Sequence, residues 1–272
     1  MPITGKCKLC LMEGVELLES HFVSRKLYYS GKKKLEFVNL IDAGIDPEEL
    51  KAHLLCRECE KRFSVNGEVE VLKHVAPKYV LKALPLAEKM KVAWARDNER
   101  SAPRHNARDF DVDTDKFAYF ALSIIWRRTI HEWSPAVPRW ELGQFAEDMR
   151  RYLLGEIPFP ANMSVLLMVC SDIASRRMWT VPSQSVEVGC LNFFFDVRGI
   201  RFRVMMGHLP AFAFEADCRA PLRPIFLADC EKQGLECDAP STGEQIQKIG
   251  ADAYLTSPEI IARLQKIHAS QF

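Results

Sequence analysis

The sequence of 272 residues contains no hydrophobic run long enough to cross a membrane. Its longest largely apolar runs cover residues 117–126 and 165–170, and both fall short of the roughly 20 residues that a membrane-spanning helix needs. The N-terminus also lacks the apolar stretch of a signal peptide, because Lys6 and Lys8 lie where that stretch would begin. These absences predict a cytoplasmic protein that makes no membrane contact.

Motifs of several common enzyme classes are missing as well. The sequence has no glycine-rich phosphate-binding loop, no internal repeat and no recognisable set of catalytic serine, histidine and aspartate residues. The composition excludes a disordered or low-complexity chain, because 48% of the residues are hydrophobic and 27% are charged. A folded chain of this length is expected to hold two ordinary domains, or one domain with a smaller module attached.

The net charge of +1 hides an uneven distribution of basic and acidic residues. Residues 1–109 hold 20 Lys and Arg against 16 Asp and Glu, whereas residues 110–272 hold 17 against 20. A basic N-terminal part favours a nucleic-acid partner, although dedicated DNA-binding domains have a larger excess. The alternative is an ordinary solvated surface.

Composition divides the chain into a module, a linker and a second domain. Residues 1–97 are polar and rich in loops at first, and apolar residues at helical spacing then predict a helix from Pro77 to Asp97. Residues 98–112 are charged and interrupted by proline, which predicts a linker. The second domain is therefore expected over residues 113–272.

The second domain is predicted to begin with a buried central helix. Asp113 or Thr114 can cap its N-terminus, and the segment as far as His131 is apolar nearly all round. Within this segment, Arg127 and Arg128 are interpreted as the exposed end of the helix.

The remainder of the second domain mixes helices and strands. A second helix is predicted from Trp140 to Leu154, and a closing helix from Ser257 to Ile267. Runs rich in valine, phenylalanine and isoleucine predict strands at 165–170, 185–195 and 200–206, with a turn at 196–199. The predicted fold class is α+β, with a small antiparallel sheet in the second domain.

Four of the nine cysteines form two CxxC pairs, Cys7 with Cys10 and Cys56 with Cys59. A CxxC pair lets two thiolates reach one ion from a single turn, and two such pairs complete the tetrahedral site that zinc prefers. The alternatives are coincidence or a redox role. Because the surrounding segment has little core of its own, we expect one structural Zn²⁺ ion that stabilises the module.

The residues around these cysteines occur in a recognisable order. The first CxxC pair is followed by residues 17–23, LLESHFV, then by a variable insert, and then by residues 53–62, HLLCRECEKR. This order resembles that of the HNH, or ββα-metal, nucleases that carry a four-cysteine zinc site. The resemblance covers roughly residues 5–75 and implies a ββα or treble-clef zinc module.

The resemblance also implies roles for individual residues. His21 matches the position of the histidine that takes a proton from water during attack on a phosphodiester. Glu60 directly follows the second CxxC pair, where the family has a histidine or asparagine ligand for a catalytic divalent metal such as Mg²⁺. Two positions depart from the family: Ser20 stands where the family has an acidic metal ligand, and no asparagine stands near Lys51, where the family has the asparagine that orients the histidine.

Structural roles remain open for the same residues. His21 is alternatively a histidine that hydrogen-bonds its loop and packs on Phe22, and Glu60 is alternatively an exposed residue in the first turn of a helix. If Glu60 does bind a metal, a second carboxylate is available from Glu19 or Glu68.

Basic residues of the module are interspersed with Tyr28 and Tyr29. Such a mixture of cations and aromatic rings is suited to gripping phosphates and stacking on bases, and the alternative is a solvated hairpin. The predicted nucleic-acid-binding residues are Arg25, Lys26, Lys32, Lys33, Lys34 and Arg62.

Taken together, these features predict an HNH-like metal-dependent endonuclease that acts on DNA, with residues 113–272 recognising substrate or a protein partner. The alternative is a non-catalytic treble-clef module that binds nucleic acid or a protein. His21 and Glu60 favour the first interpretation, whereas Ser20 and Lys51 favour the second.

Overall fold

The computed structural model describes residues 2–30, 33–34, 37–38, 49–75, 86, 89–90, 104–135, 137–170, 179–187 and 189–228. These residues confirm the predicted α+β class, with a small N-terminal sheet followed by a helix and a larger C-terminal sheet. Almost all of the helix predicted from Pro77 to Asp97, and all of the closing helix predicted from Ser257, lie outside the described residues.

Among the described residues, the N-terminal part contains six short strands and two α-helices. The strands are β1 (Thr4–Gly5), β2 (Val15–His21), β3 (Tyr29–Ser30), β4 (Lys33–Lys34), β5 (Phe37–Val38) and β6 (Lys51–Cys56). The helices are α1 (Arg57–Phe63) and α2 (Val69–Val75). Strands β1, β2 and β6 form one sheet, and α1 begins immediately after β6.

A wide helical turn, Ser64–Glu68, joins α1 to α2 and lies close to the next helix, α3 (Thr114–Ile130). A Cβ atom placed on Gly67 would come within 3.0 Å of the Cα of Phe120, so a side chain at residue 67 would push the two segments apart. Only glycine permits this approach, which brings Glu68 against the side of α3.

Helix α3 confirms the predicted central helix. The Asp113 side chain caps it by accepting a hydrogen bond from the Lys116 backbone N–H at 3.2 Å, and most of its residues are buried. The interpretation of Arg127 and Arg128 as an exposed helix end was wrong, because they are 1% and 0% exposed. Arg128 donates to the carbonyl oxygens of Pro138 and Pro182, so neighbouring loops cover this end of the helix.

In its described ranges, the C-terminal part adds two α-helices after α3 and seven strands. Helix α4 (Gln144–Leu154) begins four residues later than predicted, since Gly143 adopts a positive φ of 52° before it, and α5 spans Ala211–Ala216. The strands are β7 (Arg104–Asn106), β8 (Met163–Cys170), β9 (Trp179–Thr180), β10 (Ser183–Glu187), β11 (Cys190–Val197), β12 (Ile200–Gly207) and β13 (Pro224–Ala228).

The large sheet is built on the antiparallel order β10–β11–β12–β8. The predicted turn after β11 is confirmed, with Arg198 and Gly199 at positive φ values of 47° and 86°. The single strand expected at 185–195 is instead a hairpin, because the chain turns at Gly189 with φ of 77°. The sheet is larger than expected and includes two parallel pairs, β8 with β13 and β5 with β9.

The N-terminal and C-terminal parts share one hydrophobic core among the described residues. The ring of Phe22 lies 5.2 Å from that of Trp133, and the ring of Tyr28 lies 5.0 Å from that of Trp179. Within the segment 98–112, expected as a linker, strand β7 pairs with β13. The division into separate domains stays a prediction. No helix of the described residues has the length and apolar character needed to span a membrane.

Candidate functional site

The four cysteines of the CxxC pairs meet at one point. Their sulfur atoms all lie within 4.8 Å of one another, and the Sγ atoms of Cys10 and Cys56 are 3.9 Å apart. Cys7 and Cys59 are buried, whereas Cys10 and Cys56 are partly exposed. The group is therefore compact enough to hold a metal ion.

Local backbone structure brings the two pairs together. The first pair lies in a tight turn in which the Leu11 N–H donates to the Cys7 carbonyl at 3.0 Å, with Leu11 at φ of 62°. The second pair lies where β6 passes into α1, and pairing of Leu17 with Cys56 aligns this end with the first turn. The Cys56 backbone N–H donates to the Cys7 sulfur at 3.4 Å.

These contacts favour thiolate at one cysteine. A side-chain hydrogen bond from Cys59, assisted by the backbone N–H of Cys56, lowers the pKa of the Cys7 thiol to about 4. Because metals bind the thiolate form, this part of the site is prepared for a cation.

Helix α4, in the C-terminal part of the chain, contacts the turn that holds Cys7 and Cys10. Arg150, whose side chain is 12% exposed, donates from Nη1 to the Leu9 carbonyl at 2.8 Å, and its other nitrogens contact Glu147. Leu9 lies between the two cysteines of the first pair, so this contact ties the turn to α4. No signal in the sequence pointed to Arg150, because the two residues are 141 positions apart.

His21 lies at the end of β2, and its Nε2 atom is 2.9 Å from Oε2 of Glu49. Both side chains are largely buried, with 16% of His21 and 13% of Glu49 exposed. Among the described residues, Nδ1 of His21 makes no hydrogen bond. Glu49 was not predicted, because it lies two residues before β6 and reaches His21 only when β2 and β6 pair.

Glu60 points back from α1 to β2, where the Ser20 hydroxyl donates a hydrogen bond to its Oε1 atom. Burial raises the pKa of the Glu60 carboxyl, while the charge of Arg127 and the Ser20 hydrogen bond act in the opposite direction. The structure thus brings together the two positions at which the HNH resemblance implies metal ligands. They contact each other through a hydroxyl hydrogen bond.

Arg127 enters this cluster from α3, 59 residues away from its partner Glu68. Its Nη2 atom lies 3.0 Å from Oε1 of Glu68, and Nη1 donates to the carbonyl of Phe22 at 3.4 Å. The guanidinium carbon lies 4.7 Å from the ring centre of Phe63, and the side chain is only 2% exposed. A fixed positive charge is therefore buried beside the carboxylates of the module.

The donor set around Glu60 does not fit a catalytic divalent metal. A hydroxyl is a poor ligand for Mg²⁺, and the Ser20 hydroxyl already donates a hydrogen bond to Glu60. Arg127 also places like charge in the region where a cation would bind. Over the described ranges, the four cysteines are the sole group of three or more His, Cys, Asp or Glu with ligand atoms close together.

The predicted nucleic-acid-binding residues that the structure describes belong to different elements of the module. Arg25 and Lys26 are exposed near His21, and Arg25 Nε lies 3.8 Å from Oε1 of Glu49. Arg62 instead lines a pocket beside Cys10 and Cys56. Lys33 and Lys34 form β4, and Lys32 lies outside the described residues.

Comparison with known proteins yields no relative: no family model, curated protein or solved structure matches this chain.

Proposed function

We propose that this protein is a zinc-stabilised, HNH-like nuclease that hydrolyses phosphodiester bonds in DNA, with His21 as the general base. The proposal rests on the pairing of His21 with Glu49. The HNH resemblance implies an asparagine that orients the histidine, and Glu49 can perform this task from a different place in the chain. A carboxylate 2.9 Å from the ring nitrogen fixes the orientation of an imidazole.

The pair supports a simple hydrolytic step. In the neutral imidazole, donation of Nε2–H to Glu49 leaves Nδ1 unprotonated, and Nδ1 is then the atom that accepts a proton from water. The water oxygen bonds to phosphorus, the bond from phosphorus to the leaving oxygen breaks, and that oxygen takes a proton from solvent. Arg25 lies beside the same Glu49 and is 71% exposed, so it is placed to bind the substrate phosphate.

Zinc is the proposed occupant of the cysteine cluster. Four cysteine sulfurs within 4.8 Å of one another match the tetrahedral thiolate set that structural zinc takes. A zinc ion there would stabilise the turn and the start of α1, which carries Glu60. The cysteines would have this structural role, and the reaction would take place at the His21 end of β2 and β6.

Plasmid cleavage by the zinc-loaded full chain tests the proposal. Replacing His21 by alanine should slow cleavage by about a hundredfold or more, since that is the usual contribution of a general base. Glu49→Gln should retain part of the activity, because an amide can still orient the ring. His53→Ala is the matched control, because His53 is an exposed histidine on the neighbouring strand β6.

Cleavage that persists in His21→Ala would contradict the proposed base. Equal loss in His53→Ala would indicate damage to the sheet. The assay is run with and without added Mg²⁺, because the resemblance implies a divalent metal that the donors around Glu60 do not suit.

A non-catalytic binding module is the second candidate, and the closed contacts around Glu60 favour it. The Ser20 hydroxyl donates a hydrogen bond to the Glu60 carboxylate, and Arg127 forms an ion pair with Glu68, so both carboxylates have partners within the protein. A folded, zinc-loaded chain that binds DNA but leaves it uncut would support this function. Failure of DNA binding as well would direct attention to a protein partner for residues 113–272.

A further inference from the structure

Three carboxylates of the N-terminal module lie around the end of β2 and the start of α1. Glu49 contacts His21 and Arg25, Glu68 contacts Arg127, and Glu60 accepts the Ser20 hydroxyl. Each carboxylate thus has a donor or a basic group supplied by the chain itself. A cluster of this kind can be buried without an additional cation.

The buried cation that contacts Glu68 comes from outside the module. Arg127 lies on α3, where the Phe63 ring and the Phe22 carbonyl hold its guanidinium in place. The approach of Gly67 to Phe120 brings Glu68 to it. Since the side chain is 2% exposed, its charge cannot be moved into solvent without separating α3 from the module.

We propose that the cluster of Ser20, Glu60, Glu68 and Arg127 is a metal-free centre in which the Arg127 guanidinium takes the electrostatic place that a divalent cation has in HNH nucleases. This inference deepens the proposed function, on which it rests only for the location of the site. It also makes the site a joint product of the module and α3, so that residues 1–97 alone would lack one of its charges.

Binding of Mn²⁺, followed by electron paramagnetic resonance on the zinc-loaded full chain, tests the inference directly. Wild-type protein should show no saturable Mn²⁺ binding at millimolar concentration, and zinc content measured before and after should be unchanged. Ser20→Asp restores the acidic residue but keeps Arg127, and it should also show no binding. The double variant Ser20→Asp/Arg127→Met removes the competing charge and should bind Mn²⁺ at least about a hundredfold more tightly than Ser20→Asp.

Several results would overturn the inference. One is saturable Mn²⁺ binding by the wild type that disappears in Glu60→Gln, and another is such binding by Ser20→Asp alone. A double variant that keeps its native circular dichroism but binds Mn²⁺ no better than Ser20→Asp would also refute it. If the double variant does not fold, the wild type and Ser20→Asp still decide the question.

The binding assay separates this inference from the proposed function. Wild-type protein that binds no Mn²⁺ and also cuts no DNA would leave the inference standing and remove the nuclease proposal. Conversely, cleavage that depends on His21 together with Mn²⁺ binding that depends on Glu60 would support the nuclease proposal and overturn the metal-free centre.

Discussion

Removing the Arg127 guanidinium should destabilise the whole chain, because it leaves a carboxylate of the module without its buried partner. In Arg127→Met the aliphatic part of the side chain can still pack against Phe63, while the contact to Glu68 at 3.0 Å is lost. Breaking a buried ion pair from one side costs about 3–5 kcal/mol. Because 14% of the Glu68 side chain is exposed, we expect a value near the lower end of that range.

Urea unfolding followed by circular dichroism measures this cost. The midpoint should fall in Arg127→Met with little change in the denaturant slope, since the buried surface stays similar. Arg139→Met is the matched control: Arg139 also pairs with a glutamate, Glu141, but both side chains are more than half exposed. Its expected effect is within about 1 kcal/mol.

A double-mutant cycle with Glu68→Gln isolates the interaction between the two side chains. The double variant Arg127→Met/Glu68→Gln should be less destabilised than the sum of the single variants, with a coupling energy of about 1–3 kcal/mol. A cost below about 1 kcal/mol for Arg127→Met, or a coupling energy near zero, would refute the claim that this pair joins α3 to the module.

Three further predictions address the metal, the DNA and the buried carboxyl. Replacing both Cys56 and Cys59 by serine should remove about one zinc ion per chain, as measured by elemental analysis, and a folded variant that keeps its metal would contradict the site. Replacing Arg25 and Lys26 by alanine should make the slope of log DNA affinity against log salt concentration shallower, by the amount expected for the loss of about two phosphate contacts. Fluorescence anisotropy measures this slope, and an unchanged slope would exclude both residues from the interface. Burial raises the pKa of Glu60 in the folded state. The favourable contribution of Glu60 to the free energy of unfolding is therefore present below the ordinary carboxyl pKa, and it is lost as pH rises through the raised pKa. Glu60→Gln should therefore cost more stability near pH 4 than near pH 7 in urea unfolding, and the reverse trend would contradict the raised pKa.

Features that depend on neighbours in the sequence were predicted correctly. The Asp113 cap acts on an N–H three residues away, and the turn at Arg198 and Gly199 depends on the backbone freedom of two adjacent residues. The hairpin within 185–195 was missed, since a single glycine in a run of strand-forming residues is equally compatible with a bulge in a continuous strand. The chain reverses at Gly189, whose positive φ is required by the folded hairpin and is easily adopted by glycine.

The two CxxC pairs identified the cysteine cluster because ligand spacing within a pair is local, and the pairing of β2 with β6 then joins the pairs. Tertiary structure decided the surroundings of His21 and Glu60. Glu49 reaches His21 across 28 residues, and Arg127 reaches Glu68 across 59.

The sequence by itself thus determined the α+β class, the central helix and the four-cysteine cluster. A charged residue near the end of a helix is normally solvated, so sequence reasoning placed Arg127 outside the core. Only the packing of the module against α3 reverses this expectation, because burial of an arginine depends on partners from distant parts of the chain.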